Sequence, residues 1–480
     1  MSLSTTLSIA QSALSTNAAL STIVSRNIAG VNDPNYSTKT GQVESIAGGG
    51  VKLAGIRSAT DTALFSNLLS ANSDAASASA LSGGLGTLEQ SLGLSTTTAT
   101  DGTSTDTSPA TLLGNLTNAL QQYAASPSNA TLGTAAVTAA KTLAANLNSA
   151  SATVQGVREQ ADSAMATSVA TINSLLGQFG AANTAVTNAT LAGTDATDAI
   201  DSRNAILQSL SSEIGISTAD AGNGSLAIYT DGGATLFQGS ARTVAFTATP
   251  AFLSSTVGGA VTVDGVAVTG TNATMASKSG KIAGLAQLRD TTAVTYGNQL
   301  DQIAQGLVQT FSESSNGISV PGLFTYGVGN GAAASITVPS AVDSSQGGSA
   351  TLLRDGVIHT GTVSTTSAAG DATQLNALLS KLNTSRTFSS PSGGVASGTL
   401  AAYATSSVSW LETTRQAAST ASTNKTALVT QTTTNLSSVT GVNLDEQLSK
   451  MLDLEHSYQA SAELITTVKS MLDALLSAVN

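Results

Sequence analysis

The sequence has no cysteine, and aromatic residues fill only 3% of its 480 positions, with Trp410 the single tryptophan. Without cysteine there can be no disulfide, no thiolate nucleophile and no thiolate metal site. The same absence suits a chain that is exported and must not be cross-linked on the way. With so few aromatics, much of the 41% apolar fraction is alanine, so any core is expected to be thin. Long helices packed side by side tolerate a thin core better than thick globular layers do. Charge is also scarce, at 10% of residues, and the balance is acidic, with a net charge of -11. Basic residues are scattered singly, and none precedes Arg26. That field repels a phosphate backbone, so nucleic acid is not an expected partner. Long apolar runs are missing too. No stretch approaches the ~20 residues of a membrane span. The first 25 residues lack the cationic start and apolar block of a cleavable signal peptide. An exported chain of this kind is expected to use a route that reads no such signal.

Catalytic chemistry is equally hard to find. His359 and His456 are the only histidines, and neither has an Asp/His/Cys cluster near it in sequence. Gly83-Gly84-Leu85-Gly86 and Gly222-Asn223-Gly224 lack the strand-loop-helix setting and the basic residue of phosphate loops, and read as turns or breaks. Asp231 and Asp264 precede glycines and read as turn formers. Tyr36, Tyr458 and Trp410 read as packing anchors. No catalytic residue, cofactor or metal is expected.

What is present is periodicity. Leu3, Leu7, Ala10, Leu14, Asn17, Ser21, Val24 and Ile28 alternate three- and four-residue steps, which predicts a helix over 3–29 stopped by Gly30 and Pro34. Residues 41–57 read as a Gly-rich loop with one or two small strands. A helix over 59–92, a Thr/Ser/Asp link over 95–108 and a helix opened by Pro109 follow. The longest periodic stretch runs over about 130–190, its seam passing through Leu143, Leu147, Ala150, Val154, Val157, Ala161, Met165, Ser168, Ile172, Leu175, Phe179, Ala182 and Val186, with one slip near Ala161. Its length predicts a coiled-coil-like rod. A further helix is predicted over 197–213. Alternation of period two with Asp-Gly turns then predicts an antiparallel β-domain over 216–268. Helix returns at 280–314. Residues 317–370 read as irregular with possible strands, and helices are expected at 372–383, 399–437 and 444–478. The last carries a seam through Met451, Leu454, Tyr458, Ser461, Ile465, Val468, Leu472, Leu475 and Val479. Asn443 is its expected N-cap, with Glu446 completing a capping-box-like pair.

The expected fold is therefore mainly α, a long antiparallel helical bundle or coiled-coil rod built from both ends of the chain, with a central antiparallel β-domain. Four units follow: 1–40 with 440–480 as a terminal-helix polymerisation domain; 41–215 with 280–316 and 397–439 as the helical rod; 216–279 as a β-rich outer domain; and 317–396 as an irregular or β insertion. An isolated amphipathic helix cannot bury its own seam. Each large apolar side chain contributes ~1.5–3 kcal/mol only when buried, against ~1–2 kcal/mol per residue of backbone entropy. The ends are thus expected to order by pairing with each other and with copies of themselves.

Specific words sharpen this. Asn27-Ile28-Ala29-Gly30 with Asn32-Asp33-Pro34-Asn35-Tyr36-Ser37 resembles the segment after the first helix of flagellar rod, hook and hook-associated proteins, with Asn35 where that family has Gly and Thr38 where it has Arg. Gly441-Val442-Asn443-Leu444-Asp445-Glu446 and Tyr458-Gln459-Ala460-Ser461-Ala462 look like the C-terminus of the hook-associated members. Asp201-Ser202-Arg203-Asn204 and Gly280-Lys281-Ile282-Ala283-Gly284-Leu285, with Leu288-Arg289-Asp290, resemble their inner helices. The resemblance implies a non-enzymatic axial subunit that leaves through the flagellar type III export apparatus and joins a ring at the hook–filament junction, outside the cell. Implied partners are its own copies, the hook protein, the next hook-associated protein, and a cytosolic export chaperone on the C-terminal helix. The implied assembly interface comprises Leu3, Leu7, Leu14, Val24, Asn27, Ile28, Pro34, Tyr36, Asn443, Leu444, Met451, Leu454, Tyr458, Ile465, Val468, Leu472 and Leu475. A sibling axial protein, such as hook-associated protein 3 or the hook protein, is the nearest alternative. A secreted adhesin with a coiled-coil stalk is a more distant one.

Overall fold

The computed structural model describes residues 3–47, 49–92, 106–364, 367–389 and 394–479. Helix α1 (Leu3–Gly30) leads into a hairpin of β1 (Lys39–Ile46) and β2 (Gly50–Ser58), with a bulge at Gln42/Val43. These strands are longer than the small ones expected for 41–57. They lie along α1, where Ser12 and Thr16 hydrogen-bond the backbone of Val51.

Helix α2 (Thr62–Leu92) absorbs Gly83, Gly84 and Gly86, which the sequence reads as turns. Close packing explains the glycine at 84, whereas a Cβ at Gly83 or Gly86 would meet nothing within 4 Å. A Cβ at Gly84 would lie 2.0 Å from Leu288, and one at Gly284 would lie 2.2 Å from the Ser77 carbonyl. We expect Gly284→Ala to cost about 1–3 kcal/mol by overpacking against backbone that has no rotamer to yield, read as a lowered midpoint in urea unfolding.

The expected link at 95–108 lies mostly outside the described residues. Pro109 opens α3 (Pro109–Ala125) behind an N-capping Ser108, and Asn129 caps α4 (Ala130–Ala192). The rod helix α4 buries Leu143, Leu147, Ala150, Val154, Val157, Ala161, Met165, Ser168, Ile172, Leu176, Phe179, Asn183 and Val186. Beyond Ile172 the buried positions are thus Leu176 and Asn183 rather than Leu175 and Ala182. Two consecutive four-residue steps occur at Val157–Ala161–Met165 and again at Ser168–Ile172–Leu176. They compensate the drift of a straight helix against a strict heptad. Helix α5 (Thr197–Glu213) folds back along α4, with Arg203 bonded to Asn183 and Ser168 to Glu213.

The β material follows as β3 (Ile216–Gly222), β4 (Ser225–Thr230), β5 (Thr235–Gln238) and β6 (Ser240–Ala241) in one antiparallel sheet. Strands β7 (Val244–Ala245), β8 (Thr262–Val263) and β9 (Val266–Ala267) form a second. Asp264 and Gly265 take φ of 48° and 83°, the paired positive values that a tight hairpin turn requires. The chain returns through α6 (Lys281–Gln287) and α7 (Ala293–Thr310). A π turn at Leu288–Thr292 interrupts the helix expected over 280–314. That turn directs Arg289 inward, where it is fully buried.

After the hairpin β10 (Glu313–Ser315) and β11 (Ile318–Val320), the segment expected to hold strands is mostly short helices and turns. These include α8 (Ala332–Ser335), α9 (Thr351–Asp355) and α10 (Thr373–Leu382). Phe324, Ile336, Leu352 and Leu378 join the same core as α4 and α7. The two-residue strands β12 (Arg386–Thr387) and β13 (Ser397–Gly398) precede α11 (Leu400–Thr440) and α12 (Leu444–Val479). Helix α11 runs antiparallel to α2, tied by Lys425–Asp74 and Arg415–Glu89. The fold is mainly α with a smaller antiparallel β part, as the sequence implied.

Candidate functional site: the terminal helix pair and its joint

Helices α1 and α12 pair antiparallel. The Asn17 amide donates to Ser457 Oγ at 2.8 Å, and the Asn27 amide donates to Gln447 Oε1 at 2.8 Å. Their sequence separations, 440 and 420 residues, make this the contact that brings the two ends of the chain together. Ala10, Asn17 and Val24 are the buried positions of the predicted α1 seam, Asn27 is buried one residue before the predicted Ile28, and Ile23 and Thr16 face the hairpin. On α12, Gln447, Ser461 and Val468 are buried, and Met451, Leu454, Ile465 and Leu472 are half-buried. Leu444, Tyr458 and Leu475, from the same predicted set, are exposed, as are Leu448, Leu452, Leu464, Met471 and Leu476. Leu3, Leu7, Leu14 and Ile28 are half-buried, and Pro34 and Asn443 are exposed. Asn443 caps α12 by accepting from the amides of Asp445 and Glu446. Glu446, however, pairs with Lys450 at 2.6 Å instead of reaching back, so no capping box forms.

The predicted words meet at a joint below this pair. Asn27 is buried with its amide fully used. Its Oδ1 accepts from the Lys39 amide (2.9 Å) and the Tyr36 hydroxyl (3.0 Å). Its Nδ2 donates to the Lys39 carbonyl (2.9 Å) as well as to Gln447. The Lys39 side chain has no exposed surface and lies 3.9 Å above the centre of the Tyr36 ring. Its ammonium bonds Asp198 and sits 3.2 Å from Asp201. Ser37 donates to Asp201 at 2.5 Å, and Arg26 reaches Asp195 at 2.9 Å and Asp198 at 2.7 Å. The turn between α11 and α12 closes the other side. The Thr38 amide donates to the Thr440 carbonyl at 2.8 Å, and the Thr38 hydroxyl donates to the Gly441 carbonyl at 2.6 Å.

The electrostatics favour the charged forms. Burial is the largest influence on Lys39 and opposes its charge, but Asp198 and Asp201 outweigh it and the pKa rises. Hydrogen bonding from Lys39 is the main reason that Asp198 lies below its ordinary value. Burial pushes Asp195 up, yet bonds from Arg26 and Thr197 win and bring it down. Burial raises the Tyr36 phenol.

Two sequence words thus turn inward: Asn27 and Tyr36 serve the joint. Lys39, Gln447, Asp198 and Asp201 belong to it as well, and the sequence reading missed them as a set. Gln447 was within reach, since it lies four residues before Met451 on the same seam. Lys39 carried no local signal, because its partners are 159 and 162 residues away. His359, which has no partner near it in sequence, bonds Glu313 through Nδ1 at 2.6 Å. Among the described residues no group of three or more His, Asp or Glu is placed to hold a metal ion, and no helix is long and apolar enough to cross a membrane.

Two of the joint's three segments fall inside matches to known families, and the segment with Asn27, Tyr36 and Lys39 lies outside both. The model of the flagellar hook-associated protein FlgK helical domain matches residues 100–322, which carry Asp195, Asp198 and Asp201. The model of the flagellar basal body rod FlgEFG protein C-terminal region matches residues 437–478, which carry Thr440, Gly441 and Gln447. Over residues 100–322 the chain is similar to the flagellar hook-associated protein FlgK family, a structural family of the flagellum, and over 437–478 to the C-terminal region of flagellar rod proteins. Among solved structures, the chain resembles the flagellar hook junction protein FlgK from Burkholderia pseudomallei, with 21% identity and a TM-score of 0.44. That alignment covers 55% of this chain and 47% of that one, so this chain spans about half the length of that protein. No curated protein matches the sequence.

Proposed function

We propose that this chain is a non-enzymatic subunit of the hook–filament junction, exported unfolded through the flagellar type III apparatus and assembled outside the cell as a ring of copies. Residues 1–40 with 440–480 form the inner tube of that ring. The helical rod (41–215, 280–316 and 397–439) stands outside it, and the β-rich part (216–279), with the insertion at 317–396, lies outermost. The hook protein and the next hook-associated protein flank the ring. A cytosolic chaperone covers α12 before export. We assign the chain no catalytic residue, cofactor or metal.

One observation carries this reading: α12 buries one apolar stripe against α1 and leaves another bare. Leu464, Met471 and Leu475 lie beside the covered Ile465, Val468 and Leu472 and are 47–54% exposed. Exposed leucines at helical spacing cost solvation in an isolated subunit and stabilise only when other helices cover them. The exposed face of α1 complements this. It presents Ser8, Ser15, Ala18, Thr22 and Ser25, all uncharged and small enough for close helix approach.

The test is deletion of 1–30 or 441–480, together with the point variants Leu464→Asp and Leu475→Asp, which leave buried positions untouched. Each is expected to abolish self-assembly and motility while circular dichroism still reports a folded helical rod. If assembly and motility survive both deletions, the reading fails.

A further inference from the structure

The dipeptide Asn-Gly occurs three times, at 223–224, 316–317 and 330–331. In this pair the asparagine side chain is open to attack by the next backbone nitrogen, because glycine puts no Cβ in the way. The fold treats the three pairs differently. Asn223-Gly224 closes the β3–β4 hairpin and is held from behind. The Gly224 carbonyl accepts from Arg203 at 2.6 Å, and a Cβ on Gly224 would lie 3.0 Å from Thr190 Oγ1 and 3.3 Å from Val186. Asn330-Gly331 is held as well. The Gly331 carbonyl accepts from the Ser335 hydroxyl at 2.8 Å, and a Cβ on Gly331 would lie 2.9 Å from both Asp301 Oδ2 and Ser254 Oγ. Asp301 in turn fixes the Ala333 amide at 2.7 Å.

Asn316-Gly317 is the turn of the β10–β11 hairpin, and its φ values of 52° and 78° are the paired positive values of a two-residue loop. Residues 316–319 are all exposed, and a Cβ on Gly317 would meet nothing within 4 Å. Three residue pairs hold the hairpin: Glu313–Val320, Ser314–Ser319 and Ser315–Ile318. Its base, by contrast, is fixed. The Glu313 carboxylate accepts from the amides of Ile358 (2.9 Å) and His359 (3.1 Å), and a Cβ on Gly322 would lie 1.9 Å from the Phe311 carbonyl oxygen. A short exposed ladder above a rigid base opens at its tip without the rest of the fold.

We propose that Asn316 is a self-modification site, where the folded chain converts a side-chain amide to an acid without an enzyme or cofactor. When the tip opens, the Gly317 nitrogen attacks Cγ of Asn316. The N–Cγ bond forms, the Cγ–Nδ2 bond breaks, and the Gly317 amide proton leaves with Nδ2 as ammonia. Water then opens the five-membered imide at either carbonyl, giving aspartate or isoaspartate. Nothing is oxidised or reduced, and each event lowers the net charge of -11 by one unit. Isoaspartate also adds a methylene to the main chain, which a two-residue loop cannot absorb in register. The tip at 314–319 then loosens, while Glu313 and the chain behind Gly322 keep their places. At 223 and 330 the same attack waits for larger movements, because Arg203, Asp301 and Ser335 hold the backbone that must turn. The reaction needs no second copy and is independent of assembly.

The full-length chain, incubated in mildly alkaline buffer, is expected to yield one growing acidic species on anion exchange. Peptide mass mapping should place the change from amide to acid at Asn316, about tenfold faster than at Asn223 or Asn330, with aspartate and isoaspartate both present. In concentrated urea the three rates should converge, because the reacting pair is Asn-Gly each time and only the fold distinguishes them. Asn316→Gln should remove the acidic species while circular dichroism stays unchanged. Equal rates at the three sites in the folded chain, or a preference for Asn316 that persists in urea, overturns the assignment. So does an acidic species that survives Asn316→Gln.

Discussion

Replacing Lys39 with Met is expected to lower stability by about 3 kcal/mol and to loosen the terminal helix pair ahead of the rod. The side chain has no exposed surface, and its loss leaves Asp201, itself mostly buried, without a cation. Breaking a buried pair from one side costs roughly 3–5 kcal/mol. The low end applies because Asp198 is largely exposed and keeps Arg26. Methionine preserves most of the stem volume, so the loss reports charge rather than a cavity. Hydrogen exchange should locate it. The Thr38 amide, bonded to Thr440, and the Lys39 amide, bonded to Asn27, lose protection before amides in the middle of α4.

The pH dependence has a defined sign on each side of neutrality. Asp195 and Asp198 sit below their ordinary pKa. Their contribution is complete above the unfolded value of ~3.9 and is lost as pH falls through the folded values. Lys39 sits above its ordinary pKa, so its contribution is full below ~10.4 and is lost as pH rises through the folded value. Urea midpoints of the parent chain should therefore be flat near neutrality and fall at both extremes. In Lys39→Met the alkaline fall attributable to this residue disappears and the acid fall shrinks. An unchanged pair of limbs in the variant would sink the assignment of Lys39 as the joint's central cation.

Much of this architecture was legible because it is local. Heptads mark α1, α4 and α12, Pro109 marks a helix start, and Asp264-Gly265 marks a hairpin. What sequence reading missed is set by partners distant in the chain. Gly84 looks like a break until Leu288 is placed against it. The segment around Phe324 and Ile336 reads as irregular with possible strands, because its glycines break any period and its β-branched residues favour strand. It adopts short helices and turns because the surfaces of α4 and α7 offer those side chains a core. At the joint, Asn27 and Tyr36 were legible as a motif and not as a role. The same letters suit an exposed contact or an internal latch, and only the positions of Lys39 and Gln447 decide between them.

Replacing Arg289 with Met is expected to cost about 4 kcal/mol and to release the strap at 246–259. Arg289 is fully buried, and its removal leaves Asp162 with a side chain 2% exposed and no cation bonded to it. The Gly259 carbonyl loses its donor as well. A carboxylate stranded in the core is the costly part, so Arg289→Met combined with Asp162→Asn should recover at least half of the loss. The two variants must differ in a second respect. In the single variant, Asp162 can escape only by taking up a proton or by letting water in, and either route weakens its bond to the Thr249 amide. Limited proteolysis should then cut within 246–259 before the helices unfold, whereas the double variant keeps an acceptor for Thr249 and resists. Equal proteolysis of the single and double variants would show that the strap is held by its own packing, with Phe246 and Phe252 as anchors, and that the buried arginine serves the helices alone.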